Sequence, residues 1–164
     1  MSDKNNYVHT FSVSWDRLHQ DSRLLAARLL DRGPFTGIVA VTRGGLVPAA
    51  VIARELNIRR IETLCIVSYD WQSQADGRPV VLNKPEGDGS GWLILDDLVD
   101  TGRTAEEVRR LLPAGLFATV YAKPAGRDLV DLYVGEVTQE TWILFPWDSA
   151  VQYVQPLVSK PPSS

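Results

Sequence analysis

The chain predicts an α/β fold built on a mostly parallel sheet, and three features carry that prediction. Short apolar runs recur along it: Ile38 to Val41, Ile61 to Val67, Trp92 to Leu95 and Leu116 to Ala122. Trp92 to Leu95 shows no polar alternation, the mark of a strand buried on both faces. Two of the runs end in short polar turns that lead straight into helical patterns. The elements alternate helix, strand, helix, strand, and parallel strands need such crossovers.

Residues 1 to 13 are polar at first, then mildly alternating at Val8, Phe11 and Val13, which predicts a short edge strand. Ser14 is placed as an N-cap, and Leu18, Leu25 and Leu29 share one face of the helix that follows. Gly33-Pro34 ends that helix. After the strand Ile38 to Val41 comes the turn Thr42-Arg43-Gly44-Gly45. Pro48 suits a first helical turn, and Ala49 to Leu56 continue the helix. Ile61 to Val67 is the next strand. Ser68 to Ser90 is rich in Gln, Gly, Pro and Asp with weak periodicity, and so long a stretch inside a compact domain is functional or disordered. Within it, Val80-Val81-Leu82 reads as one arm of a hairpin. Trp92 to Leu95 then runs into Asp96, Asp97 and Asp100, and on into Thr101-Gly102-Arg103-Thr104-Ala105. Thr104 and Glu107 read as a capping box, Glu106 and Glu107 fall in the first turn, Arg109 and Arg110 near the last, and Pro113 stops the helix. Leu116 to Ala122 reads as the last sheet strand, ending at Lys123-Pro124. Residues 127 to 158 hold short β-like pieces and Trp142 and Trp147; residues 159 to 164 read as a frayed tail.

A length of 164 residues allows one domain with a real core. The composition, 45% hydrophobic and 23% charged, is ordinary for a globular chain. A net charge of −3 and a pI of about 5.4 speak against nucleic acid as the main partner, a local basic patch aside. Cys65 is the only cysteine, so an intramolecular disulfide and a cysteine metal cluster are excluded; in its apolar run it reads as a buried, inert thiol. Met1 to Asn6 lack an apolar signal core, and no apolar run approaches the roughly 18 residues that span a bilayer. The expected location is cytoplasmic.

The chemistry concentrates after Leu95. A strand, a tight polar loop and a helix N-terminus form an anion site, because the first backbone N–H groups of a helix lack internal partners. Ligands of open α/β sheets sit outside the carboxyl ends of strands. Three acids beside such a site would repel a bare phosphate unless they contact hydroxyls or a cation. A sugar phosphate with Mg2+ offers both, with phosphate on the N–H groups of residues 101 to 105 and hydroxyls and metal at Asp96 and Asp97. The bland reading is a ligand-free Asp- and Gly-rich turn. In Thr42-Arg43-Gly44-Gly45 the glycines let a backbone approach a phosphate and Arg43 offers charge, although Gly-Gly turns are common. Lys123 alone reads as a solvated strand terminus. Trp142 and Trp147 are by default core residues, yet a planar base needs an aromatic face. His9 and His19 have no metal-ligand spacing.

Taken together, these segments resemble the type I phosphoribosyltransferases, and most closely the bacterial xanthine-guanine branch, from about residue 13 to residue 157. Trp92 to Ala105 matches the family's motif for phosphoribosyl pyrophosphate (PRPP): apolar strand, two acids, then Asp-Thr-Gly-x-Thr. It is not a Walker loop. Arg103 stands where some relatives carry a second glycine. Thr42 to Pro48 matches the pyrophosphate loop of purine-specific bacterial members, Ala122 to Arg127 the lysine segment of the 6-oxopurine enzymes, and Trp142-Ile143 a pair that stacks on the base and offers it backbone groups. Trp147 and Asp148 are left as structural.

The resemblance implies a single domain over 1–164. Its core, about 14–125, is a twisted, mostly parallel sheet flanked by helices. A small hood covers about 127–158, and a mobile active-site loop about 68–90, opening at Ser68-Tyr69-Asp70. It implies transfer of the 5-phosphoribosyl group from PRPP to N9 of guanine, xanthine or hypoxanthine. PRPP would be held by Arg43, Gly44, Asp96, Asp97, Asp100, Thr101, Gly102, Arg103, Thr104 and Ala105, with Asp97 as the Mg2+ contact. The branch carries a loop arginine on the pyrophosphate, a place taken here by Arg78, against the alternative of a solvated loop arginine. Asp100 would be the general acid/base near N7, and Asp100, Lys123, Trp142 and Ile143 would hold the base. A cis peptide is implied at Arg43–Gly44. A homo-oligomer, dimer or tetramer, is implied, and peripheral contact with the cytoplasmic face of the inner membrane is left open. Two alternatives remain at this point: a phosphoribosyltransferase-like nucleotide-binding regulator of RNA or DNA, disfavoured by the charge, and the same chemistry on adenine or orotate, disfavoured by Lys123 and Trp142-Ile143.

Overall fold

The structure, a computed structural model, describes residues 7–67 and 79–148. A six-stranded sheet forms its centre, in the order β4-β3-β2-β5-β6-β7. The strands are β2 (Gly37–Thr42), β3 (Ile61–Val67), β4 (Val80–Asn83), β5 (Trp92–Val99), β6 (Leu116–Ala122) and β7 (Leu132–Glu136). All neighbours pair parallel except β4, which runs antiparallel to β3. A separate two-stranded parallel sheet joins β1 (His9–Ser12) to β8 (Thr141–Leu144). The helices are α1 (Trp15–Leu29), α2 (Leu46–Glu55) and α3 (Arg103–Leu111).

Strand alternation feeds two cores. On β2, Ile38 and Ala40 join Leu93 and Leu95 of β5 under α1 and α2, while Val39 and Val41 join Ile94 under α3. Leu18, Leu25 and Leu29 bury the predicted face of α1, and Ser14 caps it by accepting a hydrogen bond from Arg17 N at 3.1 Å. The helices after β2 and β5 thus cover opposite faces of neighbouring strands. That is a topological switch point, and a crevice opens outside the carboxyl ends of the two strands.

A buried polar link holds α1 against β6. Tyr121 is 1% exposed and its hydroxyl donates to Asp21 Oδ2 at 2.7 Å. Arg17 Nε donates to the same oxygen at 2.7 Å. Burial and the Asp21 carboxylate push the Tyr121 hydroxyl well above its ordinary value, so it serves as a fixed donor.

Several sequence expectations change. Helix α3 begins at Arg103, with Gly102 as N-cap at φ 92°, so Thr104 lies inside the helix and there is no Thr104–Glu107 capping box. Glycine suits this left-handed position, and a Cβ there would also come within 2.7 Å of Leu129 Cδ1. Glu107 instead pairs with Arg110. Strand β5 runs on through Asp96 and Asp97 to Val99. Helix α2 starts at Leu46, and Pro48 stands in its first turn as expected. Strand β6 is not the last of the sheet, because β7 pairs along its outer edge. Of the stretch 68–90, Val80–Asn83 forms β4, and the turn before β5 is tied down by Ala114 N donating to Asp88 O at 3.0 Å. Residues 68–78, including Arg78, lie outside the described residues, as do 149–164 with the predicted tail.

Replacing Asp21 by Ala should destabilise the protein by about 1–3 kcal/mol, because it leaves the Tyr121 hydroxyl buried without its acceptor. Tyr121→Phe should cost less, since Asp21 keeps Arg17. Urea unfolding midpoints of the two variants check the order.

Candidate active site

The crevice at the switch point is a cleft of about 1090 Å³. Arg43, Gly44, Asp96, Asp97, Asp100, Thr104, Lys123, Trp142 and Ile143 all line it. A smaller cavity of about 180 Å³ shares Asp96, Asp100 and Thr104 with it and is lined also by Thr101 through Arg103 and Ala105 at the N-terminus of α3. Every sequence-predicted site residue within the described residues therefore lines one of two spaces that share part of their walls. Arg78 is the exception, outside the described residues.

The turn after β2 lies against the acids of β5. A Cβ on Gly44 would strike the Asp97 carboxyl, and one on Gly45 would strike the carbonyls of Leu95 and Val41. Both glycines are required by clearance. The cis peptide falls at Thr42–Arg43, one bond before the place the resemblance implied. Arg43 is exposed at the rim.

Asp96 and Asp97 are adjacent, and Asp97 N donates to Asp96 Oδ1 at 2.9 Å. Burial raises the Asp97 carboxyl to about 6. Asp96 is held well above the carboxylate range, first by burial and then by the neighbouring Asp97 charge. Among the described residues, no Lys or Arg forms an ion pair with either acid. Two uncompensated oxygen donors beside a glycine cradle fit a hard divalent cation. No group of three or more His, Cys, Asp and Glu converges among the described residues. An ion here would therefore hold one or two carboxylates and complete its shell from ligand oxygens and water.

Asp100, after β5, is surrounded by donors instead. Its Oδ2 accepts from Lys123 Nζ at 3.0 Å and from the Tyr7 hydroxyl at 3.3 Å, and its Oδ1 accepts from Gln139 Nε2 at 2.8 Å. Gln139 is itself oriented, since Ala125 N donates to its Oε1 at 3.0 Å. Lys123 is 1% exposed and pairs with Asp100, so it is a buried cation, unlike the solvated strand terminus that the lysine alone would suggest. Trp142 stands half-open on β8 beside the buried Ile143.

Sequence reasoning missed five lining or holding residues. Trp147 and Asp148, read as structural, line the cleft, because the turn after Phe145 folds Trp147 back to stack on Phe145 at 4.8 Å. Cys65 is not buried: it is half-exposed and faces the cleft. Tyr7 and Gln139 reach Asp100 from segments with no motif. For Gln139, the only signal was its place two residues before Thr141-Trp142-Ile143.

The family model for the phosphoribosyl transferase domain matches residues 14–154. The xanthine-guanine phosphoribosyltransferase of Nitratidesulfovibrio vulgaris is 60% identical over 164 residues, covering 100% of both chains. That of Desulfotalea psychrophila is 59% identical and covers 98% of each. Among solved structures, a purine phosphoribosyltransferase from Pyrococcus horikoshii superposes with a TM-score of 0.74 at 28% identity, covering 89% of this chain and 99% of its own. The Helicobacter pylori xanthine-guanine-hypoxanthine enzyme shares the fold, with a TM-score of 0.71 at 22% identity over 85% of this chain and 94% of its own.

The acid pair has a measurable consequence. Burial holds the folded-state value of Asp97 above the unfolded one, so its contribution to stability is fully present below about pH 4 and is lost as pH rises through about 6. Asp97→Asn should therefore be more stable than wild type at pH 8, by about 1–3 kcal/mol, and the gap should close toward pH 4. Denaturant unfolding of both proteins across that range is the check.

Proposed function

This chain belongs to the phosphoribosyl transferase family, and from that premise we propose that it is a purine salvage enzyme of the xanthine-guanine type. It transfers the 5-phosphoribosyl group of PRPP to N9 of guanine, xanthine or hypoxanthine and releases pyrophosphate. The full-length relatives support that chemistry. What supports it at the level of residues is that Asp100 lines both the cavity at the start of α3 and the cleft that Lys123 and Trp142 line, and accepts a hydrogen bond from Lys123.

In this reading Thr101 through Ala105 hold the 5′-phosphate at the helix N-terminus. Arg43 and the Gly44 backbone hold pyrophosphate, joined by Arg78. Asp96 and Asp97 accept from the ribose hydroxyls, and Asp97 holds Mg2+. When bound, that ion would offset the charge of the pyrophosphate leaving group. Lys123 donates to the exocyclic oxygen of the base, Trp142 covers its face and Ile143 offers backbone groups to its edge. The C1′–oxygen bond to pyrophosphate breaks as the C1′–N9 bond forms, and the imidazole ring of the base must lose a proton. Asp100 moves that proton at N7. Lys123 and Gln139 fix the carboxylate that does so, leaving it an acceptor.

A nucleotide-binding regulator of RNA or DNA is not favoured, because the relatives matched over the whole chain are named as enzymes. Assembly as a dimer or tetramer and a cytoplasmic location belong to this proposal through the family resemblance. No helix among the described residues is long and apolar enough to cross a membrane, and the proposal does not extend to the membrane surface.

Turnover with a panel of bases tests the reading. Asp100→Asn should lower kcat by roughly 10²–10⁴, the usual worth of one general acid/base, with PRPP affinity little changed. Activity within a factor of two of wild type would remove Asp100 from the role.

Base choice rests on Lys123, a donor with no lone pair. Adenine would turn its amino group toward that buried ammonium. Sites that require such a bond reject the wrong partner by roughly 10⁴–10⁵. Adenine should be a very poor substrate, and Lys123→Met should lose most guanine turnover while PRPP affinity holds. The values to compare are kcat/KM for both bases in both proteins; equal use of adenine by wild type would contradict it.

A further inference from the structure

At the base end of the cleft, Lys123 is already covered by the chain itself. Lys123 is 1% exposed, yet its ammonium must donate to a ligand if it reads the base. Tyr7 is what lies on it. The ammonium sits 4.6 Å from the centre of the Tyr7 ring, within cation–π range. The same ring meets Trp142 edge-on at 5.1 Å. The Tyr7 hydroxyl donates to Asp100 Oδ2 at 3.3 Å, the oxygen that Lys123 also uses. Tyr7 thus engages the same three side chains that a 6-oxopurine would use, through an edge on Trp142, a ring face on Lys123 and a hydroxyl on Asp100.

We propose that Tyr7 is an internal competitor for the base subsite, seated on Lys123, Trp142 and Asp100 until a purine displaces it. This rests on the base-site reading given above. The local structure allows the exchange. The ladder of the hood starts after Tyr7, with Val8 N donating to Glu140 O at 2.9 Å and His9 paired with Thr141. Tyr7 can leave without breaking a β1–β8 rung. Its departure frees one acceptor site on Asp100 and uncovers the Lys123 ammonium together, so base entry and assembly of the proton-transfer site are one event. Because only the fraction of molecules with Tyr7 displaced can take the base, the apparent affinity for the base is lowered by that fraction.

The test uses the full chain as wild type, Tyr7→Phe and Tyr7→Ser. Calorimetric binding of GMP, a product carrying the base, is measured beside the KM for guanine at saturating PRPP. Tyr7→Ser should bind GMP more tightly and lower the guanine KM, both by roughly 3- to 30-fold. Tyr7→Phe, which keeps the ring and loses the hydroxyl, should fall between. PRPP affinity should move less than GMP affinity, since the Tyr7 contacts with Lys123 and Trp142 lie at the base end. Unchanged GMP affinity in Tyr7→Ser overturns the proposal. Weaker GMP binding overturns it too, and makes Tyr7 a wall of the subsite. If wild type turned over none of the three 6-oxopurines, the base-site reading would fall and this proposal with it; turnover without an affinity change would sink the Tyr7 proposal alone.

Discussion

The parallel ladder between β2 and β5 is what the rest of the site depends on. It pairs Gly37 with Trp92 and Ala40 with Leu95. Both strands are buried on both faces, so a slip of one residue would exchange the side chains of two different cores. That register sets how far each strand projects past the sheet. It brings the turn at Gly44 and Gly45 so close to β5 that only hydrogen fits where a side chain would start. The two loops that would hold the two ends of PRPP are therefore positioned by core packing.

Along β5 and the turn after it, the chain creates two electrostatic environments. Asp96 and Asp97 stand half-buried side by side without an ion-pair partner among the described residues, and their partial loss of solvent pushes both carboxyls up. Such a pair is costly in the protein alone and favours whatever brings a cation or hydroxyl donors. A few residues later Asp100 is satisfied internally by Lys123 and Gln139. The acid pair awaits a ligand to compensate it; Asp100 is preset. A substrate with a charged sugar phosphate at one end and a neutral planar ring at the other matches that division.

The other wall of the cleft is lighter. A two-stranded sheet is marginal by itself, and β1 with β8 depends on aromatic packing beneath it. Phe11 meets Tyr121 edge-on at 5.9 Å, and Phe145 lies 6.0 Å from the same ring. Tyr121 thus supports the hood above while anchoring α1 through Asp21. The base end of the site is held by elements from both ends of the described chain.

By itself, the sequence determined what depends on neighbours along the chain. Ile61–Val67 and Leu116–Ala122 were legible to the residue, because each is a short stretch rich in apolar and β-branched residues set between charged or turn-forming neighbours. Ser14 was legible as a cap. The acids, the glycine turn and the lysine were legible as a site because each motif is contiguous. The start of α3 was not, because left-handed Gly102 takes the N-cap place that the local capping signal assigns to Thr104. Nor was the added strand β7, nor the raised carboxyls of Asp96 and Asp97, which come from burial. Tyr7 reaches Asp100 across 93 positions and Gln139 across 39. No periodicity records such a contact, since only the closing of the hood over the sheet brings those residues together. Tertiary structure alone decided which polar groups satisfy the central carboxylate, because hydrogen bonds are made in space, and their partners need have no spacing in the chain.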